Sequence, residues 1–198
     1  MRMCMIERRR VSAFHLFAAV VFLVSLASTL AVAGETSLSM TSSVGDWVGQ
    51  GQSYFYTDQD ATFTAWFDTI FNNADHVAIA VEGPSFSFWW YLDFGPIHNA
   101  QLTAGVYNGA TRWPFNGPTE PGVDVGGNGR GCNTLTGTYT VIEIDIDGGG
   151  NVVAFHATFE QHCDGLPPVL NGEIKFNATV ANPVENVTWG AIKSLYSE

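Results

Sequence analysis

Apolar and polar residues alternate in short runs from Ser37 to Val180, and Gly, Pro, Asn and Asp residues separate these runs. Alternation with a period of two puts apolar side chains on one face of a strand, whereas a helix needs a period near 3.6. Many short strands with turn residues between them favour an all-β fold, an antiparallel β-sandwich or jelly-roll-like arrangement, over an α/β fold. A closed sheet is the remaining alternative.

The clearest strand pair lies in the second half of the chain. Apolar and polar residues alternate from Thr138 to Asp147 and again from Asn151 to Cys163. The three glycines between these runs can adopt the positive φ angles of a tight reversal, which predicts an antiparallel hairpin. Further runs complete a prediction of about nine strands. They are Ser37 to Ser42, Gln52 to Thr57, Ala61 to Phe67, His76 to Glu82, Phe86 to Phe94, Gln101 to Tyr107 and Gly172 to Val180.

Two regions depart from this pattern. The stretch from Asn108 to Asn133 is rich in Gly and Pro, which predicts an irregular surface excursion held at its end by Cys132. Residues 181–198 combine a linker with apolar residues at helical spacing, which predicts a short amphipathic C-terminal helix. This tail either docks on the β domain or serves as a sorting or partner tail. The predicted β domain therefore spans residues 34–180.

Residues 1–33 have the pattern of a secretory signal peptide. Arg8 to Arg10 form a basic start, Phe14 to Leu30 an apolar stretch, and Ala31 to Ala33 a small-residue cleavage site. A retained membrane anchor is the alternative, because a spanning helix needs roughly 20 apolar residues. We expect cleavage, which leaves no membrane span and places the domain outside the cytoplasm, in the periplasm or the extracellular space.

The charge balance excludes one class of partner. The formal net charge is −11, and cleavage would remove four of the eight basic residues and one of the 19 acidic residues. The mature chain would be still more acidic, without a positive surface to neutralise phosphates. Nucleic acid is therefore not expected as a partner, and the sequence does not predict the oligomeric state.

Cleavage would also remove Cys4 and leave Cys132 and Cys163 in an oxidising compartment. We expect these two residues to form a disulfide. Two free thiols or a metal-binding pair are the alternatives.

Candidate sites for catalysis or metal binding are weak. The chain contains no G-x-S-x-G, no H-E-x-x-H and no phosphate-binding loop that leads into a helix. The run Asp145 to Asn151 has the start of a calcium loop, but its twelfth position is a histidine, so we predict a plain turn without metal. His156, Glu160 and His162 share the polar face of one predicted strand. That face is either solvated or an alternative site for acid/base chemistry or metal binding, and no cofactor is predicted.

Aromatic residues give the stronger indication of a ligand site. Trp89 and Trp90 are adjacent in a predicted strand, so their side chains must face opposite sides of the sheet. Trp113 lies beside Arg112 in the predicted excursion, with Asp124 and Asn128 nearby. Flat aromatic rings surrounded by polar groups suit sugar or peptide ligands. Packing of Trp113 within the loop is the alternative. We therefore expect a secreted or cell-surface, non-catalytic binding module for carbohydrate or another extracellular polymer. An extracellular hydrolase that uses acidic and histidine residues, or a structural surface domain without a small ligand, are the other functions considered.

Four sequence blocks together resemble a known group of proteins. They are Gly45 to Gln52 (GDWVGQGQ), Trp89 to Phe94 (WWYLDF), Gly129 to Gly137 (GRGCNTLTG) and Phe159 to Cys163 (FEQHC). Together they resemble a group of uncharacterised secreted bacterial proteins with an all-β domain, and the similarity extends from about Met40 to Val180. The resemblance implies a sandwich and a bond between Cys132 and Cys163, but no catalytic residue.

Overall fold

The computed structural model describes residues 34–179, and these residues are almost entirely β-strand. Ten strands hydrogen-bond into one curled, mixed sheet, and a short 3-10 turn at Pro84–Phe86 is the one helical element of the described chain. The strands are β1 (Glu35–Ser42), β2 (Ser53–Thr57), β3 (Thr62–Asp68), β4 (His76–Glu82), β5 (Trp89–Gly95), β6 (Gly105–Arg112), β7 (Gly122–Gly127), β8 (Leu135–Ile146), β9 (Val152–Cys163) and β10 (Leu170–Ala178). The prediction of an all-β fold is confirmed, although the strands form a single sheet rather than two.

The strand order explains why the sheet curls. The order is β2-β1-β10-β9-β8-β6-β7-β5-β4-β3, so β2 and β3 are the two edges although they are consecutive in sequence. Only residues 58–61 connect them, which keeps the joined strand ends within about 18 Å of each other. In a flat sheet of ten strands the edges would be about 43 Å apart. The short link therefore requires the sheet to bend back on itself.

The hydrophobic core lies inside this curl. Alternate residues of β4 and β5 are buried on the inner face of the sheet, and Phe94 of β5 contacts aromatic rings of the opposite wall. Its ring centroid lies 5.4 Å from that of Tyr139 on β8 and 5.3 Å from that of Phe155 on β9. The Tyr139 hydroxyl donates a hydrogen bond of 2.6 Å to the carbonyl of Gly95, which joins the two walls.

The predicted hairpin of β8 and β9 is present, but it contains an irregularity. The register between the strands shifts at Val141 and Glu143. Before the shift Tyr139 and Val141 are buried, and after it Ile144 contacts the core. Strict alternation had placed Val141 and Ile144 on opposite faces. The extra residue at the bulge changes which positions face inward, so both residues contact the core.

The buried side-chain amide of Gln161 hydrogen-bonds to the backbone of β7 beyond the point where β6 and β7 separate. These two strands form the only parallel pair among the described strands, and their ladder covers two residue pairs, Thr111–Gly122 and Arg112–Val123. Farther along β7, the fully buried side chain of Gln161 accepts a hydrogen bond from the N–H of Val125 (3.0 Å) and donates one to its carbonyl (2.7 Å). The Gln161 amide thus replaces a neighbouring strand at this position.

The region predicted as an irregular excursion contains most of β6 and all of β7. Gly122–Gly127 was not expected to form a strand because glycine is unfavourable there. The structure gives the reason for the glycines: an added Cβ atom would lie 2.6 Å from the Trp113 ring at Gly122 and 2.4 Å from the Trp90 ring at Gly127. The two tryptophan rings pack directly against the backbone of β7.

The predicted disulfide joins Cys132 and Cys163, whose Cα atoms are 4.9 Å apart. It connects the segment before β8 to the end of β9. The predicted signal peptide at 1–33 and the tail at 181–198 lie outside the described residues. Within residues 34–179, no helix is long and apolar enough to cross a membrane.

Candidate functional site

Trp113 does not form the exposed platform that the sequence suggested. Its side chain is only 3% exposed and stacks on the imidazole of His76, with the ring centroids 4.7 Å apart. Two glycines, Gly95 and Gly122, leave the space that the indole occupies. Because glycines distant in sequence create this space, the burial of Trp113 could not be read from the residues around it. Its ring cannot itself stack on a ligand.

Arg112 and Asp124 do lie together, as the sequence predicted. The Nε atom of Arg112 donates a hydrogen bond of 3.0 Å to Asp124, and a second guanidinium nitrogen donates one of 3.3 Å to the carbonyl of Asn133. The guanidinium also lies 5.3 Å from the ring centroid of Phe115, a cation–π contact. Phe115 is 76% exposed, so it is the aromatic residue that this loop presents to solvent.

An open cavity lies beside Arg112. Its volume is about 510 Å³, and its lining includes Thr111, Arg112, Phe115, Glu120, Asn133 and Thr134. Phe115, and not the predicted Trp113, is the exposed ring beside Arg112. Asn128, the fourth predicted ligand residue, lies elsewhere: it has a positive φ of 51° and accepts a hydrogen bond of 3.0 Å from the N–H of Trp89. Its position indicates a turn residue that supports β5.

A row of polar side chains crosses the outer face of the sheet next to Arg112. His76 lies between two carboxylates, with Nδ1 3.3 Å from Asp68 and Nε2 2.9 Å from Asp93. Asp93 is in turn the cross-strand partner of Asp124. Directly opposed residues on one face have Cβ atoms about 5 Å apart, which brings these two carboxylates together. No local sequence pattern predicts this row, because each member comes from a different strand.

Asp124 has the most perturbed environment in the row. Burial raises the pKa of its carboxyl above the ordinary value, and the nearby Asp93 adds to the increase, while the hydrogen bond and charge of Arg112 oppose it. One oxygen, Oδ1, is buried and has no hydrogen-bond partner within the described chain. This oxygen can accept a hydrogen bond from a ligand, or it can hold a proton more readily than an exposed aspartate.

Two exposed rings share the outer face with this row. Trp66 on β3 is 39% exposed and Tyr91 on β5 is 41% exposed, and the register places them on either side of β4. Between them, β4 carries the small buried residues Ala78 and Ala80. We call this surface, formed by Trp66, Ala78, Ala80, Tyr91 and Asp93, the aromatic face.

Trp89 extends the aromatic face, with its ring 5.4 Å from that of Tyr91. The adjacent Trp90 points the other way and is fully buried, packed edge-on against Tyr54 at 4.8 Å. The alternation of a strand predicted these opposite orientations for the two tryptophans. The exposure of Trp66 and Tyr91 was not predicted, although Trp66 alternates with Thr64 and Asp68 on the polar face of its strand.

The alternative polar face does not form one site. His156 is fully buried, contrary to its predicted outward exposure, and its Nε2 lies 2.7 Å from Glu173 on β10. His162 lies 3.3 Å from Glu160 and within 3.1 Å of the Pro167 carbonyl. These residues therefore make separate contacts. In the part of the chain that the structure describes, no group of three or more His, Cys, Asp or Glu side chains is arranged to hold a metal ion.

Comparison of the chain with protein-family models, with curated proteins and with solved structures found no match. The resemblance to secreted bacterial proteins with an all-β domain therefore stays a prediction, and function is argued from the geometry of the site.

Proposed function

We propose that the protein is a secreted, non-catalytic binding module and that its ligand is a carbohydrate chain bound on the aromatic face. The observation that carries the proposal is the pair of exposed rings, Trp66 and Tyr91, on either side of a floor of small residues. Flat rings pack against the apolar faces of sugar rings, and carboxylates such as Asp93 accept hydrogen bonds from sugar hydroxyls. Open surfaces of this kind suit an extended polymer better than a small molecule.

The neighbouring cavity extends the proposed site. Arg112 and Phe115 lie next to Asp124, and Asp124 is opposite Asp93 on the adjacent strand. A chain that crosses the aromatic face beside Asp93 would continue past Asp124 toward Arg112. Arg112 and Asp124 thus keep the ligand-binding role that the sequence suggested, with Phe115 as the stacking residue.

Two further features support the proposal. A disulfide such as Cys132–Cys163 is typical of proteins outside the cytoplasm, which agrees with export. The inner side chains of β5 and those of β8 and β9 meet across one core, as the facing sheets of a sandwich do, which supports a sandwich-like or jelly-roll-like arrangement within the curled sheet.

A glycan and polysaccharide array with the purified protein tests the proposal. For a glycan that binds, we expect Trp66→Ala and Tyr91→Ala each to weaken binding by about 1 to 3 kcal/mol. Phe55→Ala is the matched control, because Phe55 is an exposed ring on the edge strand β2, outside the aromatic face. Equal affinity of the Trp66 and Tyr91 variants and the wild-type protein would remove the proposed site. Absence of any bound polymer would favour a structural surface domain.

The pairing of Asp93 with Asp124 favours an extracellular hydrolase as the second candidate. Two neighbouring carboxylates, one with a raised pKa, are the groups that glycoside hydrolysis requires. Incubation of any bound glycan with the protein, followed by analysis for shortened chains, separates the two functions. Hydrolysis that Asp124→Asn abolishes would establish the enzyme.

A further inference from the structure

A small cavity lies between two loops at one end of the sheet, apart from the aromatic face. One loop, residues 43–52, joins β1 to β2, and the other, residues 164–169, joins β9 to β10. The cavity has a volume of about 30 Å³, and its lining includes Asp46, Trp47, Cys163, Asp164 and Leu166. A space of this size holds a single water molecule or a single metal ion.

Asp46, one of the lining residues, has a buried carboxylate. The residue is 3% exposed, and its Oδ2 accepts hydrogen bonds from the Ser42 hydroxyl (2.8 Å) and the Gly49 N–H (2.6 Å). Its Oδ1 is buried and has no hydrogen-bond partner among the described residues. Buried polar atoms are almost always paired, and a buried charge without compensation is costly. Oδ1 therefore requires a donor or a cation.

A second carboxylate lines the same space. Asp164 directly follows the disulfide-bonded Cys163, and its positive φ of 54° turns the chain at the end of β9. Its Oδ1 accepts hydrogen bonds from the Thr134 N–H (2.8 Å) and the Thr134 hydroxyl (3.2 Å). These bonds orient the carboxylate through Oδ1 and do not use its second oxygen, Oδ2.

The loops on both sides of the cavity are held in place without any ligand. The Ser43 N–H donates a hydrogen bond of 2.9 Å to the Val169 carbonyl, and the Val169 N–H donates one of 2.7 Å to the Ser43 hydroxyl. The disulfide at Cys163 anchors the same end of β9. The two carboxylates are thus positioned by the fold, and binding would need little reordering of the chain.

We propose that this cavity is a divalent-cation site, best suited to Ca²⁺, with Asp46 and Asp164 as its two carboxylate ligands. Ca²⁺ prefers oxygen ligands and accepts irregular shells that backbone carbonyls and water complete. The net charge of −11 further favours cation binding. Sites of this kind in extracellular modules bind Ca²⁺ at about 0.1 to 1 mM. A water molecule that donates to Asp46 Oδ1 is the competing occupant.

Terbium luminescence tests the site directly, because Tb³⁺ takes the same oxygen ligands as Ca²⁺ and is excited by a nearby tryptophan. Trp47 lines the cavity, so the purified protein should sensitise Tb³⁺ emission, and excess Ca²⁺ should abolish it. Trp47→Phe should lower the emission while the rise in Tm on addition of Ca²⁺ is retained. Full emission from Trp47→Phe would place the ion elsewhere and overturn the proposal.

Asp46→Asn distinguishes the cation from water. The asparagine keeps one acceptor oxygen for Ser42 and Gly49, but it places an amide where the second carboxylate oxygen was. We expect Asp46→Asn and Asp164→Asn each to weaken Ca²⁺ binding at least about tenfold. Asp147→Asn, in the exposed β8–β9 turn, is the control and should bind as the wild type does. If Ca²⁺ and a chelator give the same Tm in the wild-type protein, the occupant is water. If Asp46→Asn fails to fold, the exposed Asp164→Asn decides the outcome.

Discussion

The indole of Trp113 stacks on the imidazole of His76 with an angle of 20° between the ring planes. Through this contact a loop residue covers the histidine that holds Asp68 and Asp93 on the outer face. Trp113 therefore supports the candidate site by packing against His76, and its own ring is buried. Replacement of Trp113 is therefore expected to lower the stability of the fold and not to remove a direct ligand contact.

We expect Trp113→Ala to lower the free energy of unfolding by about 3 to 5 kcal/mol, the usual cost of removing a buried tryptophan. Urea denaturation followed by circular dichroism measures this effect. Phe115→Ala, two residues away and exposed, is the control and should change stability by less than about 0.5 kcal/mol. Similar unfolding midpoints for the Trp113 variant and the wild type would contradict the buried position.

The disulfide closes a loop with a sequence separation of 31 residues. In the chain-entropy treatment a loop of this length stabilises the fold by roughly 3 to 4 kcal/mol, because it restricts the unfolded chain. We expect the double variant Cys132→Ser, Cys163→Ser to lose about this much stability in urea denaturation. Intact-mass measurement after alkylation, with and without reductant, provides the check on pairing. Modification of either cysteine in the unreduced protein would show that the bond is absent.

The raised pKa of Asp124 gives stability a defined dependence on pH. The folded protein binds this proton more tightly than the unfolded chain, so the contribution is fully present below the ordinary pKa of 3.8 and is lost as pH rises through the folded pKa. Relative to Asp124→Asn, the wild-type protein should therefore become less stable as pH rises from about 3 through the acidic range. Urea midpoints of both proteins across this range measure the difference.

Asp147 provides a control, because its pKa is shifted in the opposite direction to that of Asp124. Hydrogen bonds from the side chain and backbone of Asn151, and from the backbone of Gly149, lower the pKa of Asp147. Its contribution is present above the ordinary pKa and is lost as pH falls through the folded pKa. Asp147→Asn should thus lose stability relative to the wild type at neutral pH and approach it in acid. The same slope for both variants would refute the Asp124 assignment.

Gln161→Leu should be strongly destabilising although leucine has a similar volume. The substitution leaves the N–H and carbonyl of Val125 buried without partners, and each such group costs about 1 to 3 kcal/mol. Gln52→Leu, at an exposed loop position, is the matched control. Equilibrium denaturation gives the loss. Hydrogen exchange at the Val125 amide should also become faster, and unchanged exchange would show that another group replaces the glutamine.

Local sequence patterns predicted the features that depend on neighbouring residues. The β8–β9 hairpin followed from alternation and a glycine turn, and the opposite orientations of Trp89 and Trp90 followed from the two-residue period of a strand. The pairing of Cys132 with Cys163 followed from their being the two cysteines expected in an oxidising compartment. These predictions depend on interactions between residues a few positions apart in the sequence, or on one covalent bond.

The remaining features depend on contacts between distant segments. Trp113 is buried because Gly95 and Gly122 leave room for it, and His156 is buried on the outer face although its strand position is polar. The row from Asp68 to Asp124 combines four strands whose order the sequence does not reveal. Strand order also determines which aromatic residues stand side by side. Local sequence patterns therefore could not identify which residues share the aromatic face.

The short link between β2 and β3 also bears on solubility. Edge strands expose unpaired backbone groups that can recruit another chain, and many proteins protect them with charges, prolines or covering loops. Here the turn at 58–61 draws the two edges toward each other. The N–H and hydroxyl of Thr57 donate hydrogen bonds to the Asp60 carboxylate, and the Asp60 N–H donates one to the Thr57 carbonyl. Opening of this turn would let the two edges move apart and would make each more accessible to a second molecule. Changes at Asp60 would then have more effect on aggregation than on the folding equilibrium.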